Sequence, residues 1–251
     1  MKTKQHRMKN LFLFLFLLVV FTSKAQDNRV SGLNSRQFTK YWKVESESPD
    51  YKVTFQGDTA EIVSPKGLTL WRKEKMSGKV TIEYDACVVV ESDGDRLSDL
   101  NCFWMASDPQ YPDNLWKREK WRSGIFLNCY SLQLYYLGYG GNHNSTTRFR
   151  RYDGDESGIT NPKARPAILK EYTDAGHLLK PNHWYHIKIT NENNRVSYYI
   201  DGERLVDFRD AEPLREGWFG FRTTLSRTRI TNFSYECSSQ EATAVPLQWI
   251  G

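Results

Sequence analysis

The stretch WYHIKITNENNRVSYYIDG, residues 184–202, decides the fold class. In residues 184–190 and 195–200, apolar and polar side chains alternate with a period of two, which is typical of strands with one buried face. Asp201-Gly202, which follows these runs, is a dipeptide that two-residue hairpin turns favour, because its residues tolerate positive φ angles. The stretch therefore predicts antiparallel strands.

Further strand-like runs extend in both directions, at residues 51–55, 60–63, 78–90, 102–106, 124–127, 131–137, 217–222 and 228–236. No helical period is sustained over more than about two turns, and no internal repeat occurs. Short strands separated by Gly, Asn, Asp and Pro are typical of a β-sandwich and not of βαβ units. Two long irregular stretches, residues 108–123 and 138–179, are expected to carry function, as long loops in compact domains usually do.

The first 25 residues have the composition of a secretory signal peptide. Basic residues precede an apolar run at residues 11–21, which is too short to cross a bilayer, and small residues follow at the cleavage positions. We therefore predict a secreted or periplasmic protein with no membrane span. The remainder suffices for one sandwich domain at residues 26–237, with a loose tail at residues 238–251.

The mature chain is close to electroneutral. The full sequence has 35 basic and 30 acidic residues, and residues 1–25 contain five of the basic ones and none of the acidic ones. Removal of this segment leaves 30 basic residues against 30 acidic residues. Because a nucleic-acid-binding domain retains a basic excess, we predict no nucleic-acid partner.

Four cysteines follow the signal peptide, at positions 87, 102, 129 and 237. They are widely spaced and contain no CxxC motif, so a zinc cluster is not expected. One or two disulfides, or buried free thiols, fit the sequence equally well. Calcium binding through Asp93, Asp95 and Asp99, or through Asp153 and Asp155, stays open, although neither cluster has the loop of an EF-hand.

Three segments, residues 179–189, 196–202 and 217–222, resemble the late strands of the concanavalin A-like lectin and glucanase superfamily. The shared features are a Trp-Tyr-x-Ile strand, a hairpin that ends in Asp-Gly, and a Gly-x-x-Gly-Phe-Arg strand. The resemblance implies an all-β, concanavalin A-like antiparallel β-sandwich of the jelly-roll type. It is specific for the fold and not for an activity.

The middle of the chain, residues 134–144 and 147–154, resembles a group of small secreted Bacteroidetes proteins related to the YesU-like family. These proteins occur among polysaccharide-utilisation genes for acidic glycans, and the nearest activity is that of the ulvan oligosaccharide dehydratases. The resemblance implies an acidic oligosaccharide as substrate and the removal of water from its terminal uronic acid, which leaves a 4,5-unsaturated sugar. No cofactor and no metal are expected for this reaction, and the protein is expected to be a monomer.

Such a β-elimination needs three functions in one place. A cation or hydrogen-bond donor must stabilise the carboxylate, a base must remove the C5 proton, and an acid must protonate the departing oxygen at C4. His143 is the predicted base, because histidine titrates near neutral pH. Tyr135 or Tyr139 is the predicted acid.

Substrate binding is predicted to involve two arginines and three other side chains. Arg148 and Arg150 lie two residues apart, so on a strand they share one face and can grip a carboxylate or sulfate. Gln133 and Asn142 are predicted to hydrogen-bond the carboxylate, and Trp104 to bind the sugar. Gln133 shares a strand face with Tyr135, and this face is expected to meet the ligand.

Other interpretations fit the same residues. His143 is also consistent with a loop residue that has no catalytic role. The arginines at positions 148, 150 and 151 are also consistent with a solvated face paired to Asp153, Asp155 and Glu156. A non-catalytic carbohydrate-binding protein, a polysaccharide lyase and a glycoside hydrolase are the alternative functions. The Glu-x-Asp-x-x-Glu strand that marks retaining glycosidases of this superfamily does not occur, which weakens the hydrolase alternative.

Overall fold

The computed structural model describes residues 30–238, so the predicted signal peptide and the predicted tail beyond residue 238 lie outside the described residues. Within this part of the chain there are fourteen strands: β1 (Val30–Ser31), β2 (Trp42–Ser46), β3 (Lys52–Gln56), β4 (Thr59–Arg72), β5 (Met76–Ser77), β6 (Lys79–Val88), β7 (Leu100–Ser107), β8 (Gln133–Gly140), β9 (Thr146–Asp153), β10 (Lys170–Tyr172), β11 (Tyr185–Glu192), β12 (Arg195–Ile200), β13 (Glu203–Arg209) and β14 (Glu216–Ser238). The helical segments are short: α1 (Ser35–Tyr41), α2 (Glu119–Arg122) and α3 (Ser157–Thr160), with 3₁₀ turns at Leu115–Arg118, Leu127–Ser131, Pro162–Ala164 and Ala175–His177. Gly141–Asn144 forms a turn with left-handed residues.

The hairpin predicted at Asp201-Gly202 is confirmed. Strands β12 and β13 pair across this turn, with Ile200 opposite Glu203. Asp201 and Gly202 have φ angles of 49° and 83°, the left-handed pair that a two-residue hairpin turn requires. Every second residue of β11 is buried, as the alternation in the sequence predicted.

The strand predicted at residues 124–127 is wrong. Ser123 and Gly124 adopt left-handed φ angles of 46° and 72°, which turn the chain away from an extended path at the end of α2. The 3₁₀ turn Leu127–Ser131 follows, and within this region Phe126 packs edge-on against Tyr130 with ring centroids 5.9 Å apart. A short apolar run fits a buried turn as well as a strand, because period alone does not separate them.

Two long strands, β4 and β14, pass through both layers of a sandwich. The first part of β14, up to Thr224, pairs with β7 and with the second half of β4. After a register shift, β14 continues from Ser226 alongside β6 and the first half of β4. Leu225, at the shift, has a φ of 50°, as expected of a bulge that bends a strand. The first sheet therefore has the order β10-β9-β8-β7-β14-β4-β2, and the second has the order β13-β12-β11-β6-β14-β4-β3.

Aromatic side chains from both sheets fill the space between them. Trp104 of the first sheet contacts Tyr198 of the second, with ring centroids 6.1 Å apart. Tyr84 of the second sheet meets Phe221 of the first at 4.9 Å. All four side chains are buried, and burial of a side chain such as Phe221 stabilises the fold by roughly 1.5–3 kcal/mol. The predicted all-β antiparallel sandwich is confirmed.

A second cluster of buried side chains lies on the opposite, outer face of the first sheet. The loop between β7 and β8 folds over this face and buries Leu115 and Cys129 against Trp71. Arg122 anchors the loop, because its fully buried guanidinium donates a hydrogen bond to Glu45 Oε1 at 2.5 Å. The loop covers only part of the outer face, and the remainder stays open as a groove.

The edge strand β10 of the first sheet and the edge strand β13 of the second sheet approach each other along a seam. The Tyr172 hydroxyl on β10 donates a hydrogen bond to the Leu205 carbonyl on β13 at 2.8 Å. Just beyond β13, Asp210 accepts hydrogen bonds from the Tyr135 hydroxyl at 2.6 Å and from Arg151 Nε at 2.7 Å. Asp210 is buried, so this ion pair joins the two sheets on the side away from the groove.

The four cysteines are free thiols, and Cys87, Cys102 and Cys129 are buried. Of the two alternatives that the sequence left open, the structure therefore contains the unpaired one. Within residues 30–238, every helix is too short or too polar to cross a membrane.

Candidate functional site

The open part of the first sheet forms a groove of about 590 Å³. Its floor comes from β7, β8, β9 and β14, and its walls come from residues 126–130 and 162–168. Five arginines line it, at positions 96, 148, 150, 165 and 222. Four residues predicted from the sequence, namely Asn142, His143, Arg148 and Arg150, lie together in this groove.

The strand register builds the floor in transverse rows. In one row, Arg148 on β9 lies opposite Gly138 on β8, which lies opposite Asn101 on β7, which lies opposite Arg222 on β14. Residues that are direct cross-strand partners point to the same face of a sheet. The register thus brings together side chains that are as much as 121 positions apart in the sequence.

The neighbouring row places a tyrosine at the centre of the groove. Arg150 on β9 lies opposite Tyr136 on β8, which lies opposite Phe103 on β7. Tyr136 packs against Phe126 and Phe103, in each case with ring centroids 5.5 Å apart. The lack of a side chain at Gly138 gives the Tyr136 ring its space in the groove, because a Cβ atom at position 138 would lie 2.8 Å from Tyr136 Cζ and closer still to the hydroxyl oxygen.

The hydroxyl of Tyr136 is available to a ligand. Within residues 30–238, no protein group forms a hydrogen bond with it. Burial raises the pKa of Tyr136, and the Asp99 carboxylate raises it further, whereas Arg222 and Arg150 act in the opposite direction. The phenol is therefore protonated at neutral pH and offers a proton or a hydrogen bond to a group in the groove.

Three arginines gather at the β9 end of the groove. Arg148 pairs across the strands with Glu171 on β10, with Nε 2.5 Å from the carboxylate. Arg150 donates a hydrogen bond to the carbonyl of Pro166. Arg165 donates a hydrogen bond to the Gly158 carbonyl at 3.3 Å. Among the described residues, neither Arg150 nor Arg165 has a carboxylate within 4.0 Å, so this end carries excess positive charge.

The opposite end of the groove is formed by two ion pairs. Arg96 lies 2.8 Å from the Asp99 carboxylate, and Arg222 lies 3.8 Å from Glu47. Asn101 donates a hydrogen bond to Asp99 at 3.2 Å. Its own buried carbonyl oxygen has no hydrogen-bond partner among the described residues, which leaves one acceptor on the floor unsatisfied.

The turn that carries His143 has an unusual backbone. Asn142, His143 and Asn144 have φ angles of 52°, 57° and 58°, so three consecutive residues are left-handed. Asn144 holds the turn in place, because its side chain accepts a hydrogen bond from the Leu179 amide at 2.8 Å and donates one to the Leu179 carbonyl at 2.9 Å. His143 is exposed at the rim. Left-handed residues cost of order 1 kcal/mol or more each and cluster at functional sites.

The predicted placement of Tyr135, Tyr139 and Trp104 in the ligand site is wrong. All three are buried in the core between the sheets, and Trp104 contacts Tyr135 there at 5.7 Å between ring centroids. The Tyr139 hydroxyl donates to the Leu178 carbonyl at 3.3 Å. Gln133 lies at the start of β8, outside the groove lining. The groove lies on the face of β8 that carries Tyr136 and Gly138, whereas the predicted face was the opposite one, which carries Gln133 and Tyr135.

The ion pairs of the β9 arginines differ from those of a solvated face. Arg148 pairs with Glu171 and Arg151 pairs with Asp210, so Asp153, Asp155 and Glu156 are not their partners. The face shared by Arg148 and Arg150 is confirmed, since both line the groove.

Sequence reasoning missed most of the other side chains that line the groove, among them those at positions 47, 96, 99, 101, 136, 165 and 222. Arg222 stands in the Gly-Phe-Arg segment that we used only as a fold signal. Because Phe221 has the apolar side chain of a core residue, the alternation indicates that the side chain of Arg222 points away from the core. No local pattern in the sequence shows which strands flank Arg222. Within residues 30–238, no group of three or more His, Cys, Asp or Glu side chains is placed to hold a metal ion.

The bent two-sheet sandwich with an open polar groove has the concanavalin A-like, galectin-like β-sandwich fold. The chain belongs to the family described as "Domain of unknown function (DUF6250)", whose model matches residues 62–233. That match includes every groove residue named above except Glu47. No curated protein matches the sequence.

Solved structures share the fold at low sequence identity. A Bacillus subtilis protein of unknown function with a galectin-like fold matches with a TM-score of 0.66 and 16% identity, over 84% of this chain and 96% of the other. The carbohydrate-binding module CBM66 from Bacillus subtilis matches with a TM-score of 0.50 and 15% identity, over 78% and 94%. The VIP36 exoplasmic/lumenal domain in its Ca²⁺/Man3GlcNAc-bound form matches with a TM-score of 0.55 and 9% identity, over 86% and 91%.

Proposed function

We propose that the groove binds an acidic oligosaccharide. The observation that carries this proposal is the pair Arg148 and Arg150 on one face of β9, beside a tyrosine hydroxyl that has no partner in the described part of the protein. An arginine fork matches the geometry of a carboxylate or sulfate. Two of the structures that share the fold are named for a carbohydrate-binding module and for a bound Man3GlcNAc, which supports a sugar as the ligand class.

Titration calorimetry with neutral and uronic-acid disaccharides tests binding. Arg150→Gln should weaken binding of a uronate disaccharide roughly tenfold or more, as a charge-assisted hydrogen bond predicts. Arg195→Gln is the matched control, because Arg195 is an exposed arginine on the second sheet that pairs with Asp207. Higher salt should weaken binding to the unmodified protein. Equal affinity for neutral and acidic disaccharides would refute the proposal.

A second candidate function is β-elimination in the same groove, as the resemblance to YesU-like proteins and ulvan dehydratases implies. The observation that favours it is that His143 and the protonated Tyr136 line the groove together with the arginines. In this mechanism His143 takes the C5 proton, the C5–H electron pair forms the C4–C5 double bond, and the C4–O bond breaks. Tyr136 protonates the departing hydroxyl, which leaves as water, and Arg150 stabilises the carboxylate.

Two readouts separate elimination from the other functions. Elimination gives an ultraviolet-absorbing conjugated product, and dehydration lowers the mass of the intact oligosaccharide by one water. A lyase would give the chromophore with chain cleavage, and a hydrolase would release reducing ends without it. His143→Ala and Tyr136→Phe should each abolish the chromophore and retain binding. Binding without any product would leave a carbohydrate-binding protein, and full turnover by His143→Ala would refute the base assignment.

We also propose that the protein is exported and acts in the periplasm or outside the cell. Residues 1–25 support this location through their basic start and apolar run. N-terminal sequencing of the protein recovered from its native host should begin at Gln26.

A further inference from the structure

The groove is electrically polarised along the row that runs from β10 to β14. At the β9 end, three arginines face one carboxylate, that of Glu171, which gives a formal charge of +2. At the β14 end, two arginines face two carboxylates, those of Asp99 and Glu47, which gives a formal charge of zero. The two ends therefore suit different chemical groups.

The ends are too far apart to act on a single sugar ring. Arg148 and Arg222 lie in the same row but on strands separated by β8 and β7. Three inter-strand spacings of about 4.8 Å place their Cα atoms roughly 14 Å apart. A ligand that reaches both ends therefore contains more than one sugar unit.

The β14 end offers acceptors to a neutral sugar. The Glu47 side chain is 31% exposed and only loosely paired, with 3.8 Å to Arg222. The Asn101 carbonyl oxygen on the floor has no hydrogen-bond partner among the described residues. Hydroxyl groups satisfy such acceptors by donating hydrogen bonds, whereas a second carboxylate has no proton to donate and meets arginines that already face Asp99 and Glu47.

We propose that the groove selects an oligosaccharide whose acidic sugar lies at Arg148 and Arg150 and whose adjoining sugar, beside Glu47 and Asp99, is neutral. This inference rests on the proposed binding of acidic oligosaccharides and narrows it to a mixed acidic and neutral ligand. A homopolymer of uronic acids is disfavoured as a ligand, because its second carboxylate would lose water at an end whose two arginines are already paired with carboxylates.

A matched pair of probes isolates the charge of the second sugar. Glucuronosyl-glucose and glucuronosyl-glucuronate differ only at C6 of that sugar. In titration calorimetry at low ionic strength, the unmodified protein should bind glucuronosyl-glucose at least about fivefold more tightly, which corresponds to one carboxylate pair in a solvated groove. Glu47→Gln should reduce this preference to about twofold or less.

Glu171→Gln is the control variant, because Glu171 pairs with Arg148 at the other end of the row. It should strengthen the binding of both disaccharides alike and leave their ratio unchanged. Equal binding of the two disaccharides by the unmodified protein, or an unchanged ratio in Glu47→Gln, would refute this inference alone. Binding of neither disaccharide would refute the proposed acidic ligand and this inference with it.

Discussion

Replacement of Gly138 by alanine should displace Tyr136 and close the floor of the groove. A Cβ atom at position 138 would lie 2.8 Å from Tyr136 Cζ and 3.1 Å from Cε1. Carbon atoms attract each other at about 3.5–4.0 Å, so the shortfall is about 1 Å. The ring has little room to retreat, because Phe103 and Phe126 both pack against it.

The strain should lower the free energy of unfolding by roughly 1–3 kcal/mol, the usual cost of overpacking. Urea unfolding measures this loss, and titration with a uronate disaccharide should show weaker binding by the same variant. Gly94→Ala is the matched control, because a Cβ atom there meets no other atom within 4 Å. It should leave both stability and binding unchanged.

A double-mutant cycle tests the cause of the loss. If the Tyr136 ring is the obstacle, Gly138→Ala should cost less than about 0.5 kcal/mol in a Tyr136→Ala background, where no ring is present. A full loss of stability in that background would show that the added methyl group meets something else, and the reasoning about Gly138 would fail.

Asp210→Ala should lower the free energy of unfolding by roughly 3 kcal/mol, because it leaves the largely buried guanidinium of Arg151 and the hydroxyl of Tyr135 without their acceptor. A loss below about 1 kcal/mol in urea unfolding would contradict the role of Asp210 at the seam. Desolvation lowers the pKa of His177, but hydrogen bonds to Asp174 and Glu203 outweigh it and raise that pKa. The resulting stabilisation is full below about pH 6.5 and is lost as pH rises through the raised pKa. The Tm of the unmodified protein should therefore exceed that of His177→Gln at low pH, and this difference should vanish as pH rises. A difference in Tm that grows with pH would refute the role of His177. Burial raises the pKa of Cys102 to about 12, so at about pH 8 a thiol reagent should label it only after unfolding; rapid labelling in the folded protein, seen by mass spectrometry, would contradict this burial.

The sequence predicts the strands well where one face is buried and the other is polar. The alternation in β11 and the dipeptide Asp201-Gly202 each identify local structure without any knowledge of neighbouring strands. The shared face of Arg148 and Arg150 follows from the same period of two. These features are local, and a period of two needs only a few residues to be recognised.

The faces of β8 were assigned the wrong way round for a physical reason. Both faces of this strand are apolar or aromatic, because Tyr135 packs between the sheets while Leu134 packs under the loop that covers the outer face. The alternation of side chains does not distinguish a face in the core from an outer face that a loop covers. An error of one residue in the assignment moves every side chain of the strand to the opposite face. The partners of Arg222 depend on register across four strands, which no local pattern in the sequence contains.

The position of β14 has a consequence for how the chain folds. It is the last strand in the described sequence, yet it lies inside both sheets, between β7 and β4 in one and between β6 and β4 in the other. Neither layer can be completed until this final segment is in place, and a shorter nascent chain exposes unpaired strand edges along both. Assembly therefore waits on contacts between distant parts of the chain, as in other proteins of high contact order, and the groove forms only once β14 has been synthesised.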